Sequence, residues 1–247
     1  MAETELLYMP STEGNYVREF DARVLRRKDD WVVLDRSAFY PEGGGQPTDL
    51  GALEWPGGSV RVRMVEKKGI IKHILEGAAT AVPDQVHGRI DWDRRHAHMR
   101  MHTAQHLISA VILEQLGAHT VGSQLYEDRS RIDFDRAKLT DADIETARAR
   151  FDALVDRAVP VRVLEMDRAE VEARTKKGRA QLDLLPKAVT RLRVIEIEGY
   201  DLCPCAGTHV RNLSELGHMV PLGRESKGAL KERLHYTLER PREAAPG

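Results

Sequence analysis

Over its first ninety residues the chain alternates short runs rich in Val, Ile and aromatic side chains with clusters of Gly, Pro and Asp. The runs at 16–25, 31–35, 59–65 and 70–75 recur about every ten residues, the cadence of a small all-β barrel or sandwich. Beyond residue 90 the period changes. Asp91 or Asp93 is placed to cap a helix that runs through His102 and His106 to about Leu116, where Gly117 supplies a stop. A second helix is expected over 140–158, with Thr140 as its cap and Ile144, Ala147, Phe151, Leu154 and Val155 on one face. A strand at 161–166 and a third helix at 167–177 follow. The runs at 192–197, 218–222 and 230–238 then read as strands of a second sheet. The pattern predicts an α+β chain: a β domain over 1–90, then an α+β domain over 91–240. No internal repeat is present, and low complexity is confined to the tail at 242–247.

Composition narrows the function classes. Of 247 residues, 41% are hydrophobic and 31% charged, enough apolar surface for packed cores. The longest strongly apolar stretch, 107–113, falls far short of the roughly 20 residues of a membrane helix. The opening MAETELLYMP carries acids where a signal peptide carries bases. The two cysteines, Cys203 and Cys205, build no disulfide framework. A cytoplasmic globular protein is expected. The 38 Lys and Arg balance 39 Asp and Glu, so a nucleic-acid partner has to be held by a local patch. Arg94, Arg95, His96, His98 and Arg100 form one such patch, and Lys176, Lys177 and Arg179 another. Each by itself also reads as a solvated face.

The chemistry lies in two pairs. His102 and His106 in MHTAQH are four apart on the expected helix, so both imidazoles leave one face a turn apart. Cys205 and His209 are also four apart, in DLCPCAGTH at 201–209, where Pro204 and Gly207 favour a turn over a helix. A thiol with imidazoles suits Zn²⁺. A zinc protease would need a glutamate after the first histidine; Thr103 stands there instead, so peptide hydrolysis lacks its base. A zinc finger fits poorly too, because the pairs lie a hundred residues apart on separate elements.

HTAQH and CAGTH resemble the HxxxH and CxxxH motifs of alanyl-tRNA synthetase editing domains and their free-standing AlaX relatives. The likeness extends to SAFYPEGGGQPTDLG at 37–51, similar to the glycine-rich motif of the longer AlaX proteins, and to ESKG at 225–228. It covers about residues 20 to 240 with no aminoacylation region, so it points to the free-standing class. The resemblance implies an N-terminal β-barrel, an α+β editing domain with a helix-borne zinc site, and one zinc per chain held by His102, His106, Cys205 and His209. It also implies hydrolysis of serine or glycine wrongly attached to tRNA(Ala). Cys203 is an extra thiol that the family does not require; Cys205 alone keeps the CxxxH register.

An aminoacyl ester is already activated, and a metal that lowers the pKa of water towards about 7 needs no strong protein base. Polarising the carbonyl and holding the amine are equally open roles for the ion. Four protein donors usually close a site, so three firm ligands with a displaceable fourth, or expansion to five, are expected. Serine is distinguished from alanine by its hydroxyl; Thr103, Ser123, Gln124 and Thr208 are the candidates to read it. By the resemblance, Gly43, Gly44, Gly45 and Gln46 help read the small amino acid, and Lys227 faces the tRNA terminus. Arg94, Arg95 and Arg100 stand one to two turns before the zinc ligands, placed to hold the incoming strand. The competing expectations are a non-catalytic, zinc-stabilised RNA-binding module and a metal hydrolase for a small ester.

Overall fold

The computed structural model describes residues 4–135, 138–179, 182, 185–228 and 231–241. They form two compact units, Met1–His98 and Met99–Gly247.

The first unit is built from β1 (Glu5–Leu6), β2 (Glu19–Lys28), β3 (Trp31–Leu34), β4 (Arg36–Ser37), β5 (Gly51–Trp55), β6 (Gly58–Lys68), β7 (Ile70–Leu75) and β8 (Gln85–Ile90). Six of these close into a barrel in the order β2-β3-β7-β6-β5-β8. The alternation along β2 turns Phe20, Ala22 and Val24 inward, where they meet Leu34, Phe39, Leu53, Val62 and Val65. Of the two architectures that the strand cadence allows, this is the closed one. Closure rests on two glycines. A Cβ on Gly88 would stand 2.5 Å from the Phe20 ring, and one on Gly51 would stand 2.1 Å from the Arg89 carbonyl oxygen. A side chain at Gly51 would push β5 away from the backbone of β8, and one at Gly88 would displace the Phe20 ring from the barrel core.

Helix α1 (Trp92–Leu116) starts in the first unit and continues into the second. It ends where the sequence indicates: Gly117 takes φ 65° and its amide donates to the Leu113 carbonyl at 2.9 Å. Every residue from Met101 to Ile112 is buried, so this stretch is the core element of the second unit rather than an amphipathic surface helix. The remaining elements are β9 (Thr120–Leu125), β10 (Ser130–Asp135), α2 (Asp141–Asp156), β11 (Val161–Asp167), α3 (Arg168–Arg174), β12 (Arg191–Ile197), β13 (Asp201–Pro204), β14 (Met219–Ser226) and β15 (Lys231–Leu238).

Two antiparallel sheets result, ordered β14-β15-β10-β9 and β11-β12-β13. The sequence-based grouping of 192–197, 218–222 and 230–238 into one sheet is therefore corrected. β12 pairs with its sequence neighbours β11 and β13, whereas β14 and β15 join β10, with Ser130 opposite Tyr236 and Ile132 opposite Leu234. The hydroxyl of Tyr236 donates to the Met101 carbonyl at 2.9 Å, fixing the larger sheet on α1. Residue 230, the expected first residue of the last strand, and the tail at 242–247 lie outside the described residues. Helix α2 has the expected cap as a full capping box, Thr140 with Asp143. Helix α3 is shorter than expected because Thr175 turns extended, at ψ 132°. No helix among the described residues is long and apolar enough to cross a membrane.

Candidate metal centre

Because every residue of 101–112 is buried, each polar side chain there has to be paired or serve a ligand. His102 and His106 project from α1 with ring centroids 5.2 Å apart. The segment after β13 brings Cys205 and His209 to the same place. The Cys205 Sγ lies 3.5 Å from His102 Nε2 and 3.4 Å from His209 Nε2, and the His209 ring is 4.7 Å from that of His106. One donor atom from each of the four residues falls within 4.8 Å of every other. A four-coordinate ion with nitrogen and sulfur donors at about 2.0–2.3 Å sets those donors roughly 3.3–3.8 Å apart. The geometry fits a metal ion.

Protonation states agree with that fit. Burial, with Arg179, the His102 imidazole and Arg193, pushes His106 well below the usual histidine range, and burial does the same to His209. Neutral imidazole is the ligating form. The buried Nδ1 of His106 has no hydrogen-bond partner among the described residues. Burial raises the Cys205 thiol, and the Gly207 amide, donating to its sulfur at 3.3 Å, works in the other direction. A bound cation would complete the shift to thiolate.

Surrounding groups set the orientation. Thr103, in the helical turn between His102 and His106, places its Oγ1 2.9 Å from the Met99 carbonyl, 3.1 Å from His209 Nδ1 and 3.2 Å from the Val210 amide. When Oγ1 donates to Met99, it accepts from Nδ1–H, and the Nε2 lone pair is left facing Cys205. Arg179 forks onto Asp201 with two bonds of 2.8 Å and donates to the His106 carbonyl at 3.2 Å. It thus ties the helix-borne donors to the strand that leads to Cys205. Arg193 on β12 donates to the Cys205 carbonyl. Sequence reasoning missed Asp201 and Arg193 and counted Arg179 as part of a surface basic run; no local spacing links 106, 179 and 201. Cys203 is buried on β13 with its thiol pushed up to about 12, and it does not join the donor set.

Other expected site residues fall in several places. Ser123 and Gln124 lie mid-way along the edge strand β9, in register with Ile132 and Arg131, and Thr208 is fully buried. Gly43–Gln46 is a tight turn bridged by two backbone bonds of 2.9 and 3.1 Å, with Gly44 and Gly45 at φ 58° and 83°, and Gln46 is buried. Lys227 pairs with Glu225, and Arg94 donates to the Thr48 carbonyl at 3.4 Å. Two expected phosphate contacts are corrected. Arg95 is wholly buried on Asp49 and the carbonyls of Asn15 and Ala38. Arg100 is committed to the carbonyls of Glu215, Leu216 and Glu239. A charge count cannot see that burial has already assigned these guanidinium groups.

Residues 10–94 match the family model described as tRNA synthetases class II (A), and 192–235 match that of the threonyl and alanyl tRNA synthetase second additional domain. The chain is 38% identical to an alanyl-tRNA editing protein AlaX-M of Methanosarcina barkeri, over 95% of this chain and 99% of that one. It belongs to the AlaX family of alanyl-tRNA editing proteins. The AlaX-M of Methanosarcina acetivorans is 37% identical over the same shares. The alanine–tRNA ligase of Thermococcus kodakarensis is 39% identical over 88% of this chain but only 24% of its own length. AlaX proteins thus share their sequence with one part of a much longer ligase, and in this AlaX chain the match to the second family model starts on β12 and spans Cys205 and His209.

Proposed function

We propose that this chain hydrolyses the ester of serine, and of glycine, wrongly attached to tRNA(Ala), with one zinc ion held by His102, His106, Cys205 and His209. The observation that carries the reading is the convergence of three imidazoles and one thiol within 4.8 Å, a donor set of zinc type, in a chain of the AlaX family. Zinc, when bound, supplies Lewis acidity at neutral pH. In the reaction water adds to the aminoacyl carbonyl, the bond to the terminal ribose oxygen breaks, and the oxygen leaves with a proton as the RNA hydroxyl.

The chain's own residues divide the remaining work. Thr103 orients His209, so reading the serine hydroxyl falls to Ser123, Gln124 and Thr208. A buried polar group left unpaired by alanine rejects it by up to about 10⁴–10⁵. The turn at Gly43, Gly44, Gly45 and Gln46 reads the small amino acid. With Arg95 and Arg100 committed elsewhere, Arg94 and Lys227 are the proposed phosphate contacts. The work is done in the cytosol, where charged tRNA is found.

A second reading, a zinc-stabilised RNA-binding module without turnover, is favoured by the donor count, since four protein ligands fill a tetrahedral ion. Deacylation of Ser-tRNA(Ala), Gly-tRNA(Ala) and Ala-tRNA(Ala) separates the two. Native, chelated and Cys205→Ala proteins are compared. The editing reading expects metal-dependent loss of serine and glycine with alanine spared. Absence of turnover by folded, metal-replete protein leaves the binding module.

A further inference from the structure

In the first unit, the arginines at 27, 36, 61, 63, 89 and 95 each meet a carboxylate. Arg18 is exposed and forms no ion pair among the described residues. Its guanidinium lies instead over the Trp92 ring, 4.1 Å from the centroid. His96, one helical turn on, stacks with the same indole at 5.5 Å and 19°, and Tyr16 leans against it at 5.6 Å. All three rings are half-buried, and none of them is part of the barrel core.

This column joins stacked π faces to a cation without a carboxylate. Such a pairing is wasteful for packing alone, because an exposed arginine side chain loses rotamer freedom without gaining an ion pair. It matches how single-stranded RNA is held: bases stack on aromatic and guanidinium planes while the same cation meets the backbone phosphate. Duplex RNA keeps its base faces covered and has no use for it.

We propose that Arg18, Trp92, His96 and Tyr16 form a stacking surface for an unpaired nucleotide of the RNA substrate. The proposal rests on the RNA-directed reading above and adds the place in the first unit where a single strand is engaged. Arg18 supplies the phosphate contact that Arg95 does not.

The test uses the full chain with Trp31 and Trp55 replaced by Phe, which leaves Trp92 as the sole tryptophan. A short single-stranded oligoribonucleotide is expected to quench Trp92 saturably, and a blunt RNA duplex is not. In parallel, anisotropy of the labelled single strand is measured with otherwise wild-type protein. Arg18→Gln is expected to weaken binding roughly 5- to 10-fold and to lower the salt slope by about one. His96→Ala is expected to weaken it roughly 5-fold or more through lost stacking. Equal binding of single strand and duplex without quenching would overturn the proposal. So would unchanged RNA affinity in both variants with only a lowered Tm, the mark of a packing role. If mischarged tRNA is not hydrolysed yet quenching persists, the editing reading fails and this surface stands. Hydrolysis with no quenching removes the surface alone.

Discussion

In the barrel unit the Arg95 guanidinium is spent on partners that need nothing further: both oxygens of Asp49 and the carbonyls of Asn15 and Ala38. In the second unit Arg179 is likewise forked onto a buried aspartate, Asp201, but its Nη2 also donates to the carbonyl of His106. Histidines show the same contrast. His73, inside the barrel, shares a hydrogen bond of 2.7 Å with the Ser37 hydroxyl through Nε2; its Nδ1 has no partner among the described residues, but it stands in no cluster of metal-type donors there. His102, His106 and His209 face one another and a thiol. Equal burial therefore has two outcomes. Polar groups that pair off hold a fold; lone pairs that converge call for a shared cation.

Breaking the convergent set should give the largest effect. His106→Ala is expected to cut metal affinity at least roughly 100-fold, with deacylation falling in step. Metal content after gel filtration and turnover of Ser-tRNA(Ala) check it. Breaking the paired set should cost stability instead. Asp49→Ala strands the Arg95 charge and is expected to cost about 3–5 kcal/mol in urea unfolding, with metal affinity unchanged. Asp201→Ala should do both, and its metal affinity should fall roughly 10- to 100-fold.

The barrel histidine adds a pH axis. Burial holds His73 neutral, its pKa pushed down to about 4 from 6.5. On acidification the unfolded chain takes up the proton first, so stability is lost between about pH 7 and pH 4, by about 3 kcal/mol in all. Urea titrations across that window check the slope, which His73→Gln should flatten. Smaller again is Thr103→Val, which removes the partner of His209 Nδ1 without removing a ligand. Chelator competition should show metal affinity down about 10-fold, with recovery in Thr103→Ser. Thr140→Ala, a member of neither set, should cost about 1 kcal/mol through its lost capping box.

How much was legible in the sequence depends on how far apart the cooperating residues lie. His102 with His106, and Cys205 with His209, are readable because four residues is a ligand spacing on either side. The helix ends at Gly117 and Thr140 are readable because caps are local. β9 and β10 escaped because Gly122, Ser123 and Asp133 interrupt their apolar runs. Without β10 the sequence offers β15 no partner beyond β14, and the pattern alone groups the pair with β12. Arg95 misled for the opposite reason: its charge is local information, whereas its burial depends on Asp49, 46 residues away.

The most direct measurement is a Co²⁺ titration of metal-stripped protein, read by absorption. One ion per chain is expected, with tetrahedral ligand-field bands and a thiolate charge-transfer band that Cys205→Ala abolishes and Cys203→Ala retains. Absence of binding, or a spectrum with no sulfur ligand, would contradict this expectation.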